Sequence, residues 1–348
     1  MTWATAESEW NAFLESVRLA RRRLHCSNSG AWFRGLSDRR YSVIPSLFRG
    51  ALHADSEFER DRLHSERDIA AFRPRYAQCK QKLLLLAASR AYGDVLSDEE
   101  RVVRQEMREL RTSKDNALAD LRRHTLVPSG ERDAYVEWCF RSGKTNEPSW
   151  AILAEMQHSG LPTRLLDWSE SLLVSLFFAT KKYSDAVQQT CRQLGTSLES
   201  INGDPSRLSD AFASMEGAPA IWILNPYIAS ERATNRTRIW DLSRDHYDYY
   251  EAFVHRREWP FERAVPAFSP WSSSRIAAQQ GLFTVWGHDR RPLNQQFGAN
   301  CVAQVTLPPA AALYAVRHFR ELGGLDHFSM YRDLDSLASG LKHKFFDR

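Results

Sequence analysis

The chain has 348 residues, 43% hydrophobic and 26% charged, enough to bury one large core or two smaller ones, and this balance excludes a mainly disordered protein. No window approaches a membrane-spanning apolar run, and the first residues carry Glu7 and Glu9 where an export leader would be basic and then apolar, so a cytoplasmic protein without membrane insertion is expected. A net charge of +4 neither demands nor excludes an anionic partner.

Only eight of the 47 basic residues are lysine. A GC-rich codon bias accounts for this more simply than phosphate recognition, although arginine is the better bidentate phosphate binder. Cys26, Cys79, Cys139, Cys191 and Cys301 are odd in number and scattered, with no CxxC pair, which reads as packed thiols. No metal site is expected.

In chain order, Trp10, Phe13, Leu14, Val17 and Leu24 fall near helical spacing and predict an amphipathic helix from Glu7 to about Arg23. A turn at Asn28-Ser29-Gly30 leads into a short strand, Ala31 to Gly35. A charge-rich helical region follows from about Glu57 to Phe140, with opposite charges spaced to pair on solvated faces, and residues 55–145 read as a helical insertion.

A dense polar stretch then runs from Gln157 to Ser169 into an apolar helix, Glu170 to Thr180. It sets an imidazole, two hydroxyls, a guanidinium and a carboxylate between a Gly/Pro turn and a segment that must be buried. Residues 185–217 form a polar connector with a Gly203-Asp204-Pro205 break. Strands are predicted at Ala220 to Leu224, Gly281 to Trp286 and Cys301 to Leu307, with a closing helix from Tyr331 to Lys344. Strands scattered between helical blocks, without regular βαβ spacing, indicate an α+β fold.

Common catalytic fingerprints are missing: no phosphate loop ending in Lys-Ser/Thr, no GxGxxG, no HExxH and no GxSxG. Three segments compete for a site. In Phe33-Arg34-Gly35 an arginine lies beside a glycine that permits close backbone approach. The stretch from His158 through Thr163, Arg164, Asp167 and Trp168 to Ser169 offers more polar groups than helix capping by Asp167 or Ser169 consumes. In Ser274 to Phe283, Arg275 and the pair Gln279-Gln280 precede a strand, or else Gly281 simply closes a helix.

The ordered set Trp32-Phe33-Arg34-Gly35, Ile44-Pro45-Ser46-Leu47-Phe48-Arg49, Gln157 to Ser169 with Leu176 to Thr180 behind it, Arg275 to Phe283 and Asp333 to Ala338 closely resembles the FRG domain family, over roughly residues 30 to 340. The resemblance implies one FRG-type domain over 1–348. It also implies a remote variant of the ADP-ribosyltransferase fold, a mixed β core with a large helical insertion, in which three strands supply an arginine, a hydroxyl and a glutamate or glutamine around NAD+.

Carried onto this chain, Arg34 takes the first position, Thr163 or Ser169 the second and Gln279 or Gln280 the third. Gly35, Arg164, Asp167, Trp168 and Arg275 would then contact NAD, the co-substrate. A glutamine at the third position cannot accept a proton, which leaves His158, Asp167 and Glu170 as candidate bases. Asp167 pairing with Arg164 to hold the loop is an equally good structural role.

The implied activity is ADP-ribosyl transfer to a macromolecular acceptor, protein or nucleic acid, as a toxin or anti-phage effector, a role that also implies a neutralising partner protein. The alternatives are a non-catalytic module binding a nucleotide or nucleic acid through Arg101 to Arg123 and Arg232 to Arg244, an NAD glycohydrolase, or a nuclease built on Asp241, Asp245 and Asp248. Trp32, Trp168, Trp271 and Trp286 flank the site segments as core residues or stacking partners.

Overall fold

The computed structural model describes residues 2–26, 30–49, 56–89, 95–126, 129–194, 217–245, 247–255, 259–269, 274–287, 289–321 and 326–345. They form an α+β protein that divides into two compact units.

The first unit comprises Met1–Phe48, Glu137–Tyr249 and Pro260–Arg348 and holds a seven-stranded sheet. Its helix α1, Trp3–Arg23, starts four residues earlier than expected because the Thr2 hydroxyl accepts the Thr5 amide and caps it. Strands β1 (Trp32–Leu36) and β2 (Leu165–Ser169) are followed by β3 (Ala220–Leu224), β4 (Trp240–Asp241), β5 (Val265–Phe268), β6 (Gly281–Val285) and β7 (Val302–Thr306). The sheet order is β4-β5-β6-β2-β1-β3-β7, antiparallel throughout except for β4 beside β5.

Side chains alternate across a strand, so each strand feeds two cores. On one face Phe33, Ile221, Ile223 and Val305 pack with Phe13 and Val17 of α1, and with Leu176 and Ala179 of α6, Leu172–Leu194. On the other face Trp32, Leu36, Leu166, Trp168, Trp222 and Leu282 join Trp286 and Phe297. All five residues of β3 are buried, which fits its uninterrupted apolar run. Each large side chain fully buried in these layers contributes roughly 1.5–3 kcal/mol.

Gly35 faces α6. A Cβ built there would lie 1.7 Å from the Ser175 carbonyl oxygen and 2.8 Å from the Ala179 nitrogen. The close approach that requires glycine at this position is therefore made by the α6 backbone.

The motif helix begins at Leu172, two residues later than expected. Ser171, and not Asp167 or Ser169, sits at its start, its hydroxyl accepting the Val174 amide at 3.4 Å. α6 continues to Leu194, well into the expected polar connector; the rest of that connector, with Gly203-Asp204-Pro205, lies outside the described residues. So do Asn28, Ser29, His246 and Trp271.

The second unit comprises Arg49–Val136 and Tyr250–Trp259. Helices α2 (Ser56–Ala88) and α3 (Asp98–Leu126) pack together through Phe72, Cys79, Leu83, Val103 and Leu110. Arg111 sits over the Tyr76 ring, a cation–π contact. No helix among the described residues is long and apolar enough to cross a membrane.

The short strand β5 and helix α5, Ser149–His158, carry little sequence signal. α5 is buried on nearly every side, so its apolar residues show no helical stripe.

Candidate functional site

The three candidate segments converge. β2 lies between β1 and β6 in the sheet, so Arg34, the Thr163 to Ser169 stretch and the Gln279-Gln280 pair belong to three neighbouring strands or their ends. Pairing of β2 with β6 is complete, from Leu165 opposite Val285 to Ser169 opposite Gly281. Between β1 and β2, by contrast, the ladder is confined to Phe33 opposite Ser169. Past that point Arg34 Nη1 donates to the Asp167 carbonyl at 2.6 Å and lies 3.5 Å from the Asp167 carboxylate. A guanidinium thus bridges the two strands where backbone pairing stops.

Asp167 extends this contact into a chain of polar groups. Its Oδ2 accepts from Gln157 Nε2 at 3.1 Å, and the Gln157 side-chain oxygen accepts from the buried Thr163 hydroxyl. Gln157 also donates to the Leu165 carbonyl. Gln157 is thus the residue that holds the motif together, although it was not among the expected site residues. Its only sequence signal was its place at the head of the polar stretch, on the last turn of α5.

The second hydroxyl serves a different group. Ser169 Oγ donates to the Gln279 carbonyl at 2.7 Å and accepts from the Ser171 amide at 3.0 Å, tying the end of β2 to the approach of β6. The Gln279 side chain is 9% exposed and donates to the Met330 carbonyl at 3.0 Å. Gln280 is exposed and adopts a left-handed backbone, φ 47°, which ends helix α8, Ser274–Ala278, before Gly281 is reached. Of the two glutamines, the second is the one that faces outward.

Arg275 donates to the His158 carbonyl at 2.9 Å and sits over the Tyr331 ring. Burial holds the His158 imidazole below the ordinary histidine value; the Asp167 carboxylate opposes this and Arg275 adds to it. His158 is therefore neutral near pH 7 and able to accept a proton. Because its folded value lies below the unfolded one of about 6.5, stability is lost as pH falls through about 6.5 toward the folded value and then levels off. Denaturant midpoints of wild type and His158→Gln across this window should converge as pH falls, and parallel curves would remove His158 as the cause.

Arg164 and Trp168 point into the structure. Arg164 is fully buried, donates to the Trp286 carbonyl at 3.1 Å and takes the Trp286 amide on its own carbonyl. Trp168 donates its indole N–H to the Thr284 hydroxyl at 3.0 Å. The ion pair of Asp167 goes to Arg34. Replacing Arg164 by methionine should cost about 3 kcal/mol in a urea melt, because it strips a buried carbonyl of its donor.

Asp241, Asp245 and Asp248, weighed as a carboxylate cluster, bond in different directions: to Arg244, to Arg238 and to Ser149. The Cys26 and Cys301 thiols are pushed up by burial to about 11 and about 12, which keeps both protonated.

Residues 29–188 match the family model of the FRG domain. No curated protein and no solved structure matches the chain.

Proposed function

We propose, from the premise that this chain carries an FRG domain over residues 29–188 and so belongs to that family, that it is an ADP-ribosyltransferase consuming NAD+ and modifying a macromolecule. The observation that carries the reading is the adjacency of β6, β2 and β1, with Arg34 bridging the point where the β1–β2 ladder ends. An arginine, a hydroxyl and a glutamine are thereby offered from three neighbouring strands, the layout that the family resemblance implies.

In this reading Arg34 positions the diphosphate of NAD+, a task for which a planar guanidinium is suited. Asp167, braced by Gln157 and Thr163, fixes the direction of Arg34 and is a positioning residue. Gln280, the exposed glutamine, holds ribose hydroxyls, whereas Gln279 and Ser169 keep the β2–β6 junction in place. The bond from ribose C1′ to the nicotinamide nitrogen breaks, and its electron pair leaves with neutral nicotinamide. An acceptor lone pair then bonds to C1′, and the acceptor's proton passes to neutral His158. Catalysis is chiefly positioning and stabilisation of charge on the sugar.

The test is incubation of the purified protein with NAD+ labelled on its adenylate half, together with lysate protein, RNA or DNA, following nicotinamide release and label transfer separately. Label on one class of macromolecule is the expected result. Release without transfer would make the protein a glycohydrolase, and intact NAD+ with every acceptor would sink the reading.

A further inference from the structure

The short helix His327–Tyr331 stands just ahead of the Asp333 to Ala338 motif, outside residues 29–188 but within the first unit. A capping box starts it: the Asp326 carboxylate accepts the Ser329 amide at 2.6 Å, and the Ser329 hydroxyl accepts the Asp326 amide at 2.9 Å. Arg332, left-handed at φ 55°, ends it. Fixed at both ends, the helix turns two groups toward α8 and the residues that follow it. The Met330 carbonyl accepts the Gln279 side chain at 3.0 Å, and the Arg275 guanidinium lies over the Tyr331 ring, 4.6 Å from its centroid.

Tyr331 is held in turn from α6. Phe178 meets it edge-on, centroids 6.1 Å apart and planes at 81°, and the Lys181 ammonium lies 5.6 Å from its centroid. An aromatic face attracts a guanidinium and so limits where it can go. The same guanidinium donates to the His158 carbonyl at 2.9 Å, on the last residue of α5.

We infer that Tyr331 is a positioning residue for His158: its ring holds the Arg275 guanidinium at the end of α5 and so keeps a positive charge beside the imidazole. The consequence for catalysis rests on the reading of His158 as the group that takes the acceptor's proton; the contact itself does not. Burial holds the imidazole below the ordinary histidine value, the Asp167 carboxylate of β2 opposes this, and Arg275 adds to it. Asp167 is itself paired with Arg34 of β1, and on α5 Glu155 is engaged by Lys144 at 2.6 Å. From β6 the neighbour is the uncharged Phe283 ring, 6.3 Å away. Releasing Arg275 removes one of the two influences that favour the neutral form, so the imidazole then titrates at higher pH. The base is lost on the acid side alone.

The test is an NMR titration of the imidazole resonances in histidine-labelled protein without NAD+, the His158 signal being identified by its loss in His158→Gln. Tyr331→Leu keeps bulk against Phe178 but offers no aromatic face, and it should raise the His158 midpoint. Tyr331→Phe keeps the ring and should titrate as wild type. Arg275→Met should raise the midpoint too, and adding Tyr331→Leu to it should raise it no further, because residues that act through one link are not additive. If Tyr331→Leu does not fold, Tyr331→Met takes its place. An unmoved midpoint in a folded variant without the ring or without Arg275, or a further rise in the double variant, overturns the inference.

Turnover supplies a second readout. In Tyr331→Leu, kcat for NAD+ consumption should fall about tenfold on the acid side and return to wild type at alkaline pH with KM unchanged, a part of the roughly 10²–10⁴-fold that a positioned base contributes. A loss equal at every pH would assign Tyr331 to the fold alone and overturn its positioning role. A raised midpoint in a protein that leaves NAD+ intact would remove the transferase reading and leave Tyr331's hold on His158 standing, whereas turnover with an unmoved midpoint would do the reverse.

Discussion

Gly35→Ala should destabilise the protein by about 3 kcal/mol or more, the upper end of what overpacking costs. The added carbon would sit 1.7 Å from Ser175 O, 2.7 Å from Ser175 C and 2.8 Å from Ala179 N. All three are backbone atoms of α6, so no rotamer change relieves the clash. Relief requires α6 to lift from β1, which opens the core at Phe33, Leu176 and Ala179. Urea denaturation against wild type measures the effect, with Gly130→Ala as control. Nothing lies within 4 Å of a Cβ at Gly130, which is helical, and that change should be neutral or stabilising by up to about 1 kcal/mol. Equal midpoints for Gly35→Ala and wild type would mean that α6 does not rest on β1 as described.

Arg34→Ala should lower NAD+ consumption by about a hundredfold or more, the size of effect seen when a charge-stabilising donor is removed, while costing only about 1–2 kcal/mol of stability. The two effects separate because Arg34 lies at the edge of the core, its side chain 17% exposed, where its guanidinium meets Asp167. Arg34→Lys should recover stability better than activity: an ammonium can still meet the Asp167 carbonyl but cannot present the planar fork that a diphosphate accepts. Label transfer and thermal melting on the same preparations check both halves. Wild-type turnover in folded Arg34→Ala would end the transferase proposal, whereas loss of turnover with loss of fold would assign Arg34 to the structure.

The elements that could be read along the chain are those whose information is local. β3 announces itself by five apolar residues before Asn225-Pro226, and α1 by apolar residues at helical spacing. Weak elements were those with no face to display. α5 is buried almost all round, and β5, Val-Pro-Ala-Phe, is too short to alternate visibly.

Within the site, sequence types nominated Arg34, Thr163, Ser169 and the two glutamines, but not their partners. Gln157 emerged only when its two amide atoms were seen to bridge Asp167 and Thr163. Arg164 and Gln279 were nominated for a ligand, and the fold turns their side chains to backbone carbonyls instead.

By itself, then, the sequence determined the α+β class, the strong helices and strands, and the ordered motifs of an FRG domain, because periodicity and turn chemistry act over a few residues. The tertiary structure decided that β6 pairs with β2 across more than a hundred residues, that the β1–β2 ladder stops after one pair, and that Gly35 must yield to α6. Those outcomes depend on which buried surfaces and backbone donors find one another in space, and a strand's own residues do not specify its neighbour.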